Sequence, residues 1–294
     1  MNRKTQLAGI GFGLLAYGIW GFFPLYFRQL AHVLPMDILA NRAVWACVFV
    51  GILLSLRQRW ASVLVVFKNP RQLAMLALAA LLVSSNWLVF LWAVAHQQVV
   101  ASSLGYFLTP LVNVLLGLIV LKERLNKLEW LAVGLAVIAI ANEIITLGSL
   151  PWVSLFLAVT FGTYGLVRKQ IPVDAISGLW LETLAMLPVC GIYALWMAQS
   201  GHQVFAPNNA LTVTLLIGAG ILTAVPLMAF AAATQRLDLA TVGMLMYINP
   251  TLQFITAVWI FGEPLQSARL ISFALIWSGL FVFSWSMWQK LRHR

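Results

Sequence analysis

Three charged residues sit inside otherwise apolar stretches: Arg42, Glu182 and Glu143. A charge held in hydrocarbon is costly, so such residues default to functional candidates. Arg42 lies within a run from Ile38 to Leu56, near one end, and suits a role as an anion-attracting or gating charge. Its plain alternative is an arginine whose long stem lets the head reach the membrane surface. Glu182 lies within the run Ala175–Met197. A carboxylate has a shorter reach to water, and an acid buried there suits proton coupling. Its alternative is a structural hydrogen bond to a neighbouring helix. Glu143 lies near the end of a third run and competes with Glu182 as an ionic partner for Arg42.

A second group is uncharged. Trp20, Asn86, Tyr106, Asn113, Tyr247, Asn249 and Gln253 fall near the middle of their apolar segments. Tyr106 and Asn113 are seven apart, which puts them on roughly one helical face. Such groups can hydrogen-bond a substrate in a largely apolar cavity, or join neighbouring helices. Pro24, Pro110, Pro188, Pro226 and Pro250 each remove a backbone donor and favour a kink. Pro110 and Pro250 are the candidate hinges. The histidines lack metal-ligand spacing, and Cys47 and Cys190 read as small buried hydrophobes, so neither a metal nor a cofactor is expected.

The elements that must position these residues are membrane helices. Hydrophobic residues make up 62% of the 294 positions and charged ones 9%. Soluble domains average about 45–50% apolar and about 25% charged. Ten apolar segments follow one another: Leu7–Phe27, Ile38–Leu56, Leu73–Ala95, Val99–Leu121, Leu128–Leu147, Leu150–Val167, Ala175–Met197, Leu211–Thr234, Leu239–Phe261 and Ala268–Trp288. Each can cross a hydrocarbon layer about 30 Å thick. The first run is longer than a signal-peptide core and reads as a retained helix. With the N-terminus in the cytoplasm, 15 of the 18 Lys and Arg residues fall on that side, as the positive-inside rule requires. The exceptions are Arg28, Arg42 and Arg269. The net charge of +10 is therefore an orientation signal and does not point to nucleic acid.

The chain also repeats. At an offset of 140, YFLTPLVNVLLGLIVLKERL (106–125) lies over MYINPTLQFITAVWIFGEPL (246–265). Pro110 meets Pro250, Asn113 meets Gln253, Glu123 meets Glu263, and Arg42 meets Glu182. The matched glutamates close their helices and suggest a structural role at the helix ends. The expected fold is thus an all-α integral membrane protein of ten transmembrane helices, arranged as two inverted five-helix repeats, 1–148 and 149–294. Five crossings per repeat force the halves into opposite orientations. Inverted repeats recur in transporters, with the substrate near the midplane between them. Under that symmetry Arg42 and Glu182 stand at different depths, as two polar steps flanking a central cavity.

These segments resemble the EamA-type drug/metabolite transporters, specifically the RarD permease family. Besides the two repeat motifs, the resemblance rests on GIGFGLLAYGIWGFFPLYFRQL (9–30), DILANR (37–42), SSNWLVFLWAV (84–94), SLGYFLTPLVNVLLG (103–117) and GLWLETLAMLP (178–188). The departure is Ala40-Asn41 ahead of Arg42, where the family pattern leads one to expect a histidine. The resemblance covers the whole chain and implies a multi-pass permease of the cell inner membrane, both termini cytoplasmic, with a name that suggests drug export. The function expected is a secondary transporter of a small molecule, working by alternating access as a monomer or homodimer in the lipid bilayer. No nucleotide-binding loop is present to use ATP: Gly9, Gly11 and Gly13 follow no strand and read as helix-packing positions. The alternatives are an intramembrane lipid-modifying enzyme, which would need acids, histidines or a metal triad clustered at one depth, and a non-transporting receptor or assembly protein.

Overall fold

The computed structural model describes residues 3–120, 122, 125–205, 209–234, 236–237 and 245–292. Helices account for nearly all of them: α1 Arg3–Gly21, α2 Phe23–Arg28, α3 Pro35–Leu56, α4 Trp60–Phe67, α5 Pro70–Ala95, α6 Val99–Val120, α7 Lys127–Leu147, α8 Trp152–Lys169, α9 Ala175–Ala198, α10 Ala210–Thr234, α11 Ile248–Ile255 and α12 Ser267–Arg292. A π-helical turn, Thr256–Ile260, extends α11. The physical reason is the solvent. In lipid every backbone N–H and C=O must find its partner within the protein, and a helix does this locally.

Eight segments among the described residues are long and apolar enough to cross a membrane. A shorter apolar helix, Trp152–Arg168, is α8. The segment expected at Leu239–Phe261 is described only from residue 245 onward. Leu56, Leu195, Ile145, Phe281 and Trp259 lie on the outside, more than 70% exposed. Arg42, Asn86, Glu143 and Glu182 are inside, at 2% or less. Apolar-out with polar-in is the arrangement hydrocarbon selects, because polar groups find partners only within the bundle.

Two local differences from the expected segments have clear causes. The first apolar run is split: Phe22 separates α1 from α2, and Pro24 lies in the first turn of α2, where its missing N–H is tolerated. The stretch between the expected segments Ile38–Leu56 and Leu73–Ala95 is itself partly helical. It contains α4, whose Trp60 ring meets Trp180 of α9 edge-on at 4.9 Å.

The helix ends are specified locally. Asn69 caps α5 through the Gln72 amide, and Asp174 caps α9 through the Ser177 amide. Asn126 and Glu129 form a reciprocal capping box on α7, and Gly148 ends that helix with φ of 64°.

The broadest seams join α7 to α12, α6 to α8, α1 to α10, α3 to α10, and α5 to α8, with α3 to α9 next. The α5 helix packs on α8 and α9, and α11 packs on α6 and α1. Several seams need a missing side chain. A Cβ on Gly105 would stand 2.7 Å from the Ser154 carbonyl oxygen, and one on Gly220 would meet the Trp45 and Ala46 backbone at 2.6 Å. Gly9 and Gly13 are likewise occupied by Leu237 and Leu245, whereas Gly11 faces open space. Close approach at small residues is how membrane helices gain dispersion contacts without a hydrophobic drive between them.

Candidate functional site

Arg42 stands seven residues past the start of α3, buried, with neighbours from four other elements. Its Nε donates to Thr223 Oγ1 of α10 at 3.0 Å. The guanidinium lies 4.2 Å from the Trp87 ring centroid of α5, and 5.0 Å and 5.7 Å from Phe27 and Phe23 of α2. Tyr106 of α6 is within electrostatic reach. Neither expected carboxylate pairs with it, and its Nη1 is buried with no hydrogen-bond partner.

Glu182 stands seven residues past the start of α9. Its cation is Arg168 of α8, whose Nε lies 3.0 Å from Oε1, without the alignment of a hydrogen bond. Tyr164 of α8 donates to the other carboxylate oxygen at 3.1 Å. Glu143 pairs instead with Arg269 of α12 at 3.2 Å, fastening the α7–α12 seam. Arg168 counts among the loop cations in a hydropathy reading. Its sequence signal is spacing: Tyr164 and Arg168 are four apart, one helical turn, and so share a face.

Asn86 is fully satisfied. Its amide donates to the Leu157 carbonyl at 3.0 Å and Thr160 Oγ1 at 2.9 Å, and its oxygen accepts from the Tyr106 hydroxyl at 3.0 Å. These bonds tie α5, α6 and α8 together. Tyr106 also meets Phe161 edge-on at 5.9 Å, and Phe161 lies 5.9 Å from Tyr164. An aromatic bridge thereby connects the surroundings of Arg42 with those of Glu182.

The remaining expected site residues are dispersed. Asn113 is exposed, with its side-chain oxygen beside Gly162, so it does not share the burial of Tyr106. Trp20 belongs to a cluster with Tyr17 and Phe230 at the α1–α10 seam. Tyr247 is half-buried beside Ser284 of α12. Gln253 is buried, donates to Asn249 Oδ1 at 2.8 Å and accepts from Ser102 Oγ at 3.3 Å. The two prolines differ in setting. Pro110 lies within α6, whereas Pro250 is in the first turn of α11, where no intrahelical donor is lost. Ser103 Oγ donates to the Pro250 carbonyl at 2.8 Å across the seam.

Two constellations have weak sequence signals. The first is Glu263, whose two carboxylate oxygens accept from the Val99 and Val100 amides at 2.8 Å each, closing the N-terminus of α6. Burial pushes this carboxyl above the usual range, while the two amides favour its charged form. The π turn delivers it: Glu263 N–H bonds the Ala257 carbonyl, and Gly262 supplies a φ of 65°. Glu263, expected to close its own helix, closes the head of α6 instead, while its repeat mate Glu123 lies outside the described residues. The second is Asp37, which accepts from Tyr193 at 2.7 Å and meets His202 Nε2 at 2.6 Å. With Asn41 Nδ2 donating to the Val204 carbonyl at 2.8 Å, this fastens the segment after α9 to the head of α3.

Comparison with known proteins places this geometry. The EamA-like transporter family matches residues 7–142. An uncharacterized transporter of Vibrio cholerae is 45% identical over 96% of this chain and 94% of its own length. Protein RarD of Escherichia coli K12 is 42% identical over 96% of each chain. A chloramphenicol-sensitive protein RarD of Pseudomonas aeruginosa is 30% identical over 97% of this chain and 96% of its own. A crystal structure with 19% identity shares the fold at a TM-score of 0.59, over 94% of this chain and 97% of that one.

Proposed function

The chain belongs to the EamA-like transporter family, with RarD proteins among its relatives, and from that premise we propose that it is a secondary transporter whose two halves exchange inward-open and outward-open states. It is a multi-pass membrane protein related to drug and metabolite transporters. The finer reading is alternating access between inverted repeats, 1–148 and 149–294, in an inner membrane with both termini cytoplasmic.

The observation that carries this reading is the pattern of helix contacts. Take α1 and α2 as one crossing, and α11 with its π turn as another. Exchange each crossing with the one five further along the chain. The α3–α9, α6–α11 and α7–α12 seams then map onto themselves. The α1–α10 seam maps onto α5–α8, α3–α10 onto α5–α9, and α6–α8 onto α1–α11. Arg42 and Glu182 obey the same exchange, each seven residues into its helix. Related halves of this kind can trade conformations, which gives one buried site access to each side in turn.

In this mechanism Arg42, Tyr106 and Trp87 flank the path from one half, and Glu182 with Arg168 and Tyr164 flank it from the other. Asn86 holds α5, α6 and α8 as one body. Glu182 is the proton-coupling candidate because it is the buried acid nearest the aromatic bridge. Trp20, Asn113, Tyr247 and Gln253 serve mainly as seams between helices. The test is reconstitution. Net flux of a solute into or out of proteoliposomes supports the proposal, and turnover of a lipid without net movement rejects it. A metabolite screen comparing deletion with overexpression supplies the solute.

A further inference from the structure

Among the described residues no carboxylate pairs with the buried Arg42, whereas the buried acids Asp37, Glu143 and Glu182 each face a basic side chain. Of the eight acidic residues, six are described, and each is engaged elsewhere. Asp37 holds Tyr193 and His202, and Glu129 closes the α7 capping box. Glu143 holds Arg269, Asp174 caps α9, Glu182 holds Arg168, and Glu263 closes α6. The Arg42 side chain is among the largest that are fully buried, and its Nη1 has no hydrogen-bond partner. Removing a guanidinium from water without pairing it is among the largest penalties a fold can carry. A rim arginine escapes that penalty by extending to the surface. At 1% exposure Arg42 has not done so. Its packing instead fixes it: Thr223 takes Nε, and the faces of Trp87, Phe27 and Phe23 surround the planar head.

We infer that Arg42 is the binding residue for a substrate carboxylate, and that the transported class is a monocarboxylate with an apolar, aromatic-sized body. This rests on the transporter reading above and names its substrate. The free Nη1 donates to one carboxylate oxygen, a charge-assisted bond that replaces the missing counter-charge. A single unmatched cation fits a single negative charge, so a dicarboxylate would carry one charge without a partner. No described acid is free to receive an ammonium group, which disfavours a zwitterion. Trp87, Phe23 and Phe27 surround the guanidinium, so a carboxylate bonded to Nη1 has aromatic side chains next to its body. At 1% exposure the site is closed in this conformation, and the exchange between halves opens it.

The test uses the full chain, purified in detergent, with three probes: benzoate, its neutral amide benzamide, and the dianion phthalate. Thermal unfolding is followed against probe concentration in wild type, Arg42→Lys and Arg42→Gln. Benzoate is expected to raise the midpoint, with benzamide and phthalate giving much smaller shifts. Arg42→Gln is expected to weaken the apparent benzoate affinity by ~10-fold or more, as loss of a charged hydrogen bond does, with Arg42→Lys between. Equal shifts for benzoate and benzamide in wild type overturn the inference, as does an unchanged benzoate response in Arg42→Gln. Should Arg42→Gln fail to fold, the wild-type ranking of the three probes and the weakened response of Arg42→Lys decide it. Benzoate counterflow in proteoliposomes separates this inference from the transporter reading. Flux of another solute that is unchanged in Arg42→Lys, with no benzoate response, sinks the carboxylate site and leaves transport standing. Benzoate binding without flux of any solute does the reverse.

Discussion

Arg168 of α8 and Glu182 of α9 face each other at 3.0 Å, with the carboxylate almost wholly buried and the guanidinium largely so. Their partnership leaves Arg42, the repeat counterpart of Glu182, without an acid among the described residues. A pair of helices in one half is fastened by charge where the matching place in the other half holds a lone cation among aromatic rings. The two halves share a scaffold but divide the polar work between them.

Removing one member of that pair should be severe. Arg168→Gln leaves a buried carboxylate uncompensated, a change of about 3–5 kcal/mol in comparable buried pairs. A marked fall in the thermal midpoint is expected, and Arg168→Gln/Glu182→Gln should recover much of it. A double variant no more stable than Arg168→Gln alone would contradict the pairing.

Glu182→Gln alone also tests coupling. If Glu182 carries the proton, net flux in proteoliposomes loses its dependence on an imposed pH gradient, while exchange of labelled for unlabelled solute persists. Flux and pH profile both matching wild type would reduce Glu182 to a structural partner of Arg168.

The Asn86 network makes a graded prediction. Tyr106→Phe removes one hydrogen bond, worth about 0.6 kcal/mol in membrane helices, and leaves the Asn86 amide satisfied. Asn86→Ala removes three bonds and leaves Thr160 and Tyr106 without this partner, so it should be the more destabilising. Denaturant titration in mixed micelles orders the two, and the reverse order would refute the network.

Much of the scaffold was legible in the sequence, because lipid imposes a strong and simple pattern. Apolar runs gave the helices, and the offset of 140 matched Arg42 to Glu182 in depth along their helices. The site was less legible for a different reason. Which side chains meet depends on rotation of each helix about its axis, and a helix that is apolar all round carries little record of that rotation. Arg168 could be counted as a loop cation until α8 turned it toward Glu182. Asp37 meets His202 only because the segment after α9 folds back onto the head of α3. The use of Glu263 depended on a π turn, which has no sequence signature of its own.

Glu263 ties the π turn to the head of α6. It satisfies two amides at the head of α6, the helix that carries Tyr106 and Pro110. Loss of a cap costs about 0.5–2 kcal/mol. Glu263→Ala should therefore lower the thermal midpoint and speed amide exchange at Val99 and Val100 first. Glu263→Gln keeps one acceptor and should fall between. Uniform exchange along α6 in Glu263→Ala would argue against a capping role.

Helices α6 and α8 approach closely at Gly105. A methyl at Gly105 would meet the Ser154 backbone oxygen at 2.7 Å, and backbone cannot swing aside as a side-chain tip can. Gly105→Ala must therefore push α6 away from α8, and overpacking of this kind costs about 1–3 kcal/mol. The shift also pulls Tyr106 from Asn86, so transport should fall along with stability. Gly134 and Gly11 face open space, and alanine there adds helix propensity without a clash. Gly134→Ala and Gly11→Ala should match or exceed wild type in thermal midpoint. A Gly105→Ala variant as stable as these two would show that α6 and α8 do not pack through that face.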